Sequence, residues 1–148
     1  MRVLIDGDGC PVVGIAAALC KKQGIPCLVL CDTAHEMHRQ DVTVLTFDKG
    51  ADSVDYALAN RVLPGDIVVT QDYGVASMCL AKGARVLHQD GWEYTRWNID
   101  ALLLERHEAR KFRLRGGRTK GPAKRKQVQD DAFYTALSSL LEAVPRGD

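Results

Sequence analysis

Short, continuously apolar runs alternate with helix-like stretches along the first ninety residues, and this alternation restricts the fold more than any other feature. The apolar runs occupy residues 3–5, 27–31, 42–47, 67–70 and 85–88. A strand whose residues are all apolar is buried on both faces, so helices must cover both sides of its sheet. Strands that alternate with helices pair mostly in parallel. The pattern predicts an α/β fold with a mostly parallel central sheet of about five strands and helices on both faces.

Five segments carry helical periodicity, over residues 12–22, 52–62, 74–82, 95 to about 113, and 127–144. Pro11 suits the first position of the first helix, because its missing N–H would be unpaired there. Thr95 is the candidate N-cap of the fourth helix. The last helix carries one apolar stripe of Phe133, Leu137, Leu140 and Leu141.

The charge of the chain is distributed unevenly, although the net value is only +1. Residues 1–100 carry 9 basic and 13 acidic side chains, whereas residues 101–148 carry 11 basic and 6 acidic ones. The chain length is typical of one domain. We therefore expect a single domain over residues 1–148, with an α/β body at 1–93 and a helical, basic part at 94–148.

The basic charge is concentrated in residues 106–126, where ten basic side chains accompany one acidic side chain, Glu108. Such a run is typical of a surface that binds a polyanion such as RNA. A solvated basic loop is the alternative.

No segment resembles a targeting or membrane-spanning sequence. The longest charge-free run is the 12 residues between Asp8 and Lys21, and a bilayer span needs about 20. The five cysteines are an odd number without a secretory signal, which favours reduced thiols in a cytoplasmic protein.

Aspartates follow two of the predicted strands directly: Asp6 and Asp8 follow the first, and Asp72 follows the fourth. Ligands bind outside the carboxyl ends of the strands in open parallel sheets, so these side chains should meet at one edge. Clustered carboxylates repel one another unless a cation or a raised pKa relieves them. Oxygen donors favour Mg²⁺ or Mn²⁺. The sequence therefore predicts a divalent metal site, with Gly7 and Gly9 allowing a tight loop around it.

Each candidate also has a purely structural interpretation. An aspartate after a strand is often a turn former or a helix N-cap, and Asp52 has that alternative at the start of the second helix. Asp55 lies in the first turn of the same helix, where a carboxylate also interacts favourably with the helix dipole. Cys10 is a candidate reactive thiol, although a small packed residue is the favoured interpretation. Trp92, Tyr94 and Trp97 are expected at the edge of the core or packed on a helix, and stacking on nucleic-acid bases is the alternative.

Residues 4–11, Leu-Ile-Asp-Gly-Asp-Gly-Cys-Pro, resemble the opening Asp-Ala-Asp-Ala-Cys-Pro signature of the YaiI/YqxD family of uncharacterised bacterial proteins. The resemblance continues through residues 50–55, 65–72, 81–84 and 126–133, and so covers nearly the whole chain. Glycines replace the two alanines of the signature here, which loosens the loop but keeps both carboxylates.

The resemblance implies a PIN-like three-layer α/β fold, whose members include ribonucleases that gather acidic residues around Mg²⁺ or Mn²⁺. By position, Asp6 matches the acid after the first strand, and Thr70 with Asp72 matches the Thr-x-Asp after the fourth. Asp55, or alternatively Asp52, matches the acid on the mid-chain helix. Asp8 belongs to the family signature.

These matches lead to a hypothesis of a Mg²⁺- or Mn²⁺-dependent ribonuclease. Asp6, Asp55 and Asp72 would hold the metal, and Asp8 would complete the catalytic group. The predicted substrate-binding residues are Thr70, Arg113, Arg115, Arg118 and Lys120.

Two other functions stay open. Asp6-Gly7-Asp8-Gly9 also satisfies the first motif of haloacid-dehalogenase-like phosphatases, in which Asp6 would be the nucleophile, Asp8 the acid and base, and Lys82 a nearby cation. A non-catalytic RNA-binding module with a PIN-like scaffold is the other.

Overall fold

A six-stranded sheet with helices on both faces forms the core of the described residues, which are 1–32, 39–48, 53–118 and 124–143 of a computed structural model. Within those ranges the elements are β1 (Val3–Asp6), α1 (Val13–Gln23), β2 (Cys27–Asp32), β3 (Thr43–Phe47), α2 (Ser53–Arg61), β4 (Ile67–Val69), α3 (Tyr73–Ala81), β5 (Arg85–Leu87), β6 (Glu93–Tyr94), α4 (Ile99–Leu114) and α5 (Gln127–Ala143). The α/β class predicted from the sequence is confirmed.

The strand order is β3-β2-β1-β4-β5-β6. Neighbouring strands from β3 to β5 pair in parallel, and β6 pairs antiparallel to β5. The mostly parallel sheet is therefore confirmed, but it has six strands rather than about five, since the two residues of β6 are too few to give a periodic signal. The chain order reverses between β1 and β4, which opens a crevice at the carboxyl ends of these two strands.

The two faces of the sheet carry separate hydrophobic cores, because successive side chains of a strand point to opposite sides. Val3 and Ile5 of β1 pack with α1 and α5 on one face. Leu4 packs with α2, α3 and α4 on the other. The three layers explain why the central strands are apolar at every position.

The last helix is held against the sheet by its apolar stripe and at its beginning by Arg125. Phe133, Leu137, Leu140 and Leu141 are all buried, as predicted. The Arg125 guanidinium donates to the Asp90 carboxylate at 2.6 Å, to the Asp130 carboxylate at 2.8 Å and to the carbonyl of Gln89 at 2.8 Å. This arginine of the basic segment therefore joins α5 to the turn between β5 and β6.

Two helices begin later than the sequence predicts. The first begins at Val13, and Pro11 lies in the turn before it. The fourth is a regular helix from Ile99, and the residue before it, Asn98, makes no side-chain bond to the N–H groups of the helix. The Thr95 hydroxyl accepts the N–H of Asn98 at 3.3 Å, and the Asn98 amide accepts the N–H of Thr95 at 2.9 Å. The Thr95 carbonyl also accepts the N–H of Ile99 at 3.0 Å. The reciprocal bonds form a capping box, so Thr95 caps the turn that leads into α4, as the sequence predicts.

Three aromatic residues were expected at the edge of the core, and the structure agrees for two of them. Tyr94 is buried and Trp92 packs against the same core as α2, α3 and α4. Trp97 is 80% exposed, and the Arg96 guanidinium lies 4.3 Å from its ring centroid. The prediction is wrong for Trp97, because this residue lies in the turn before α4 and not on the packed face of that helix.

The Tyr94 hydroxyl is buried and has no hydrogen-bond partner among the described residues. A buried hydroxyl without a partner costs about 1–3 kcal/mol. We expect Tyr94→Phe to keep the ring packing and to raise the free energy of unfolding, measured by urea denaturation. Tyr134→Phe, at a position that is 46% exposed, is the control and should change nothing. A clear loss of stability in Tyr94→Phe would contradict this account.

None of the helices in the described ranges is both long enough and apolar enough to cross a membrane.

Candidate active site

The aspartates predicted from the strand ends surround one cavity of about 510 Å³. It lies at the crevice between β1 and β4, where the order of the strands reverses. Its lining residues are Asp6, Asp8, Asp55, Gln71, Asp72, Tyr73 and Arg106. Four carboxylates that are up to 66 positions apart in the sequence therefore face the same space.

Thr70 connects the ends of the two strands beside the cavity. Its hydroxyl donates to the Asp6 carboxylate at 3.0 Å and accepts the backbone N–H of Asp72 at 3.0 Å. The side chain is almost fully buried. The hydroxyl therefore orients Asp6 and the backbone after β4, and the substrate contact predicted for Thr70 stays a prediction.

The pKa of Asp6 is raised from 3.8 to about 6. Burial is the largest cause, and the hydrogen bond from Thr70 opposes it. The negative charges of Asp55, Asp8 and Asp72 raise the pKa further. The cavity therefore disfavours the ionised form of Asp6, chiefly because burial removes water from the carboxylate and also because like charges lie nearby.

Asp72 is the N-cap of α3 and a wall of the cavity at the same time. One of its carboxylate oxygens accepts the N–H groups of Gly74 at 2.8 Å and Val75 at 3.1 Å. The Arg106 guanidinium lies 3.6 Å from the same oxygen. The capping alternative is correct for this residue, and it fixes the carboxylate in place beside the cavity.

The loop after β1 is held against the end of β2. Asp8 accepts the backbone N–H of Asp32 at 3.1 Å, and the N–H of Gly7 donates to the Leu30 carbonyl at 2.8 Å. A Cβ on Gly7 would lie 2.6 Å from a methyl carbon of Val29, whereas Gly9 has a φ of +68°. The two glycines thus allow the close approach and the left-handed turn that the sequence indicated.

Cys10 packs against the core that contains α1 and α5. Burial is the main cause that raises the pKa of its thiol. The packed interpretation therefore agrees with its environment, since a reactive thiol needs a lowered pKa.

The other predicted residues are distributed differently. Asp55 lies in the first turn of α2 and faces the cavity. Arg113 lies near the end of α4, and Arg115 and Arg118 follow it; all three are exposed, and none of them lines the cavity. Asp52 and Lys120 lie outside the described residues.

Three of the described residues line the cavity but were not predicted from the sequence as site residues: Gln71, Tyr73 and Arg106. Arg106 was predicted only as the first residue of the basic segment 106–126. It is the one basic residue among the described side chains that line the cavity. A second cavity of about 240 Å³ shares Asp55, Asp72 and Arg106 with the first. The position of Arg106 could have been predicted from its helical spacing with Ile99 and Leu103, because this spacing places a charged residue on the packed face of α4.

The carboxylates are spaced around the cavity and do not form a closed cage. Within the described ranges no three histidine, cysteine, aspartate or glutamate side chains are close enough together to hold a metal ion. The phosphatase alternative requires Lys82 near Asp6. Instead, Lys82 lies after the C-terminal end of α3 and donates to the carbonyl of Ala59 on α2.

Comparison with known proteins gives one consistent match. A family model described as "Uncharacterized BCR, YaiI/YqxD family" matches residues 4–143. A UPF0178 protein of Ruminiclostridium cellulolyticum is 50% identical over 147 residues, which cover 99% of this chain and 96% of the relative. UPF0178 proteins of Exiguobacterium sibiricum and Clostridium acetobutylicum are 46% and 43% identical, over 95% of this chain and 96% and 97% of theirs. None of the solved structures matches the chain.

Proposed function

Because this chain belongs to the YaiI/YqxD family, which is described as uncharacterised, we propose its function from the cavity: a PIN-like, Mg²⁺- or Mn²⁺-dependent phosphodiesterase that cleaves RNA. The observation that carries the proposal is the meeting of Asp6, Asp8, Asp55 and Asp72 around one cavity at the point where the strand order reverses. The resemblance of the acidic motifs to PIN-like ribonucleases directs the choice of RNA.

The donor groups fit a hard divalent cation. All four acidic side chains offer oxygen. The charges of three neighbouring carboxylates add to burial in raising the pKa of Asp6, and a cation would favour its ionised form. Mg²⁺ usually keeps several of its waters and takes only one or two carboxylates. A set of spaced carboxylates can therefore hold a hydrated ion without three of them in mutual contact. Asp6, Asp55 and Asp72 would hold this ion, one or two of them directly and the others through its waters.

The bound ion would lower the pKa of a water and offset the negative charge of the phosphate. The chain supplies the orientation: Thr70 holds the Asp6 carboxylate, and the first turn of α3 holds Asp72. Asp55, on α2, and Asp8, anchored to Asp32, face the same space. They would orient the attacking water and accept its proton.

Basic residues beyond the cavity would bind the RNA backbone. Four carboxylates repel a polyanion, and nearby cationic side chains reduce that repulsion. Arg113, Arg115, Arg118 and Lys120 remain the proposed contacts from the sequence. The phosphatase alternative lacks support because Lys82 does not line the cavity. A non-catalytic module would bind RNA equally well with and without metal and would not cleave it, so a cleavage assay distinguishes this alternative.

We expect Asp55→Asn to reduce Mn²⁺-dependent RNA cleavage by about 10- to 100-fold, as removal of a carboxylate that supports a metal site commonly does. The measurement is the cleavage rate of an end-labelled single-stranded RNA, with Mn²⁺ and with a chelator. Asp100→Asn is the matched control, since Asp100 is also an acid in the first turn of a helix but does not line the cavity.

Equal rates in Asp55→Asn and Asp100→Asn would point to a contaminating nuclease and would count against the proposal. Cleavage that persists in the chelator would also contradict it. Tight RNA binding without cleavage at any Mn²⁺ concentration would select the non-catalytic module.

A further inference from the structure

One face of α4 changes from apolar to basic along its length. Ile99, Leu102 and Leu103 lie at helical spacing near its beginning and pack into the core on the α2 and α3 side of the sheet. The same face continues with Arg106, Arg110 and Arg113, because residues separated by three, four or seven positions lie on one side of a helix. These three arginines are exposed.

The position of Arg106 shows where this basic face begins. Its guanidinium is 3.6 Å from the Asp72 carboxylate, and it lines both cavities. The rise of an α-helix is about 1.5 Å per residue, so Arg113 lies about 10 Å further along the axis. The face therefore starts at the acidic cavity and leads away from it.

The opposite face of α4 has a different charge pattern. Lys111 is on that side and lies 3.9 Å from the carboxylate of Glu108. Glu105 and Glu108 accompany the basic residues of α4, and neither lies at the spacing of the arginine face. Within α4, the side that begins at the cavity is therefore the side that carries arginines with no acidic residue between them.

We infer that the face formed by Arg106, Arg110 and Arg113 is a binding track for an RNA strand whose scissile phosphate enters the acidic cavity. The inference rests on the proposed function for the identity of the ligand. Arg106 occupies the point where the strand passes from the track to the carboxylates, and its planar guanidinium suits two-pronged binding of a phosphate. Of the substrate contacts predicted from the sequence, Arg113 lies on this track.

The test measures the dissociation constant of a short, labelled, single-stranded RNA at several salt concentrations, by fluorescence anisotropy and in the presence of a chelator to prevent cleavage. We expect Arg106→Ala, Arg110→Ala and Arg113→Ala each to weaken binding by about three- to tenfold. Each should also lower the slope of log K against log salt by about 0.7. Lys111→Ala removes the same charge from the opposite face and should change the affinity by less than about twofold.

The outcomes separate this inference from the proposed function. If Lys111→Ala weakens binding as much as the three arginine variants, the track is wrong, while metal-dependent cleavage stands or falls by its own assay. Equal binding of a DNA strand and an RNA strand would overturn the assignment of the track to RNA, because phosphate contacts alone do not distinguish the two. If the arginine variants alter RNA affinity but no cleavage occurs, the track is supported and the phosphodiesterase is not. Unchanged affinity in all three arginine variants overturns the inference.

Discussion

Asp6→Asn is expected to reduce Mn²⁺-dependent RNA cleavage by about 100-fold or more and at the same time to stabilise the fold. The variant removes the carboxylate at the end of β1 that lies among three other acids. The amide oxygen of asparagine can still accept the hydrogen bond from Thr70. The loss of activity would therefore come from the lost charge and not from a collapsed loop.

The stability effect has a definite sign. The pKa of Asp6 is about 6 in the folded protein, against 3.8 as its ordinary value. Between pH 3.8 and about pH 6 the Asp6 carboxyl keeps its proton in the folded state and loses it in the unfolded state. The free energy of unfolding therefore falls as the pH rises through this range. Above pH 6 the ionised carboxylate destabilises the metal-free protein by about 1–2 kcal/mol, allowing for its partial exposure to solvent.

Thermal unfolding in a chelator should show both effects. At about pH 7.5, the unfolding temperature of Asp6→Asn should be about 3–6 °C higher than that of the wild type. This difference should vanish near pH 4. Added Mn²⁺ should raise the unfolding temperature of the wild type but not of the variant, because a ligand stabilises only the state that binds it. A variant that is less stable than the wild type at neutral pH, or that responds equally to Mn²⁺, would refute the assignment of Asp6.

Gly91→Ala is expected to destabilise the protein by about 3–4 kcal/mol. Gly91 lies in the turn before β6 with a φ of +92°. A Cβ at this position would lie 2.5 Å from the backbone carbonyl carbon of Ala132 and 2.8 Å from the backbone nitrogen of Phe133. Backbone atoms within a helix cannot rotate away as a side chain can, so α5 would have to move off the sheet.

The position of Gly65 provides a matched control. Its φ is +86°, and no atom lies within 4 Å of a Cβ built on it. Gly65→Ala therefore isolates the cost of the backbone conformation, about 1 kcal/mol. Urea denaturation followed by circular dichroism should separate the two variants clearly. If both lose the same stability, the close packing of α5 on this turn does not contribute to the fold.

The class of fold could be predicted from the sequence because it depends on local patterns. The continuous apolar runs indicated strands that are buried on both faces, and the observed sheet is parallel from β3 to β5. The stripe of α5 was found by its helical spacing alone, and its four residues are buried. The two-residue strand β6 was missed, because it is fixed by its pairing with β5 and not by periodicity. The capping turn at Thr95 was predicted, but the regular helix of α4 begins only at Ile99.

The sequence by itself determined which acids are candidates, since Asp6, Asp8 and Asp72 follow strand ends that a parallel sheet must bring to one edge. Only the tertiary structure decided what else faces them. The side-by-side pairing of β1 and β4 allows Thr70 to reach Asp6, and the packing of α4 brings Arg106 within 3.6 Å of Asp72. Both contacts join residues that are more than thirty positions apart in the sequence. Local sequence patterns do not determine which distant side chains meet, because that depends on how the helices and strands pack.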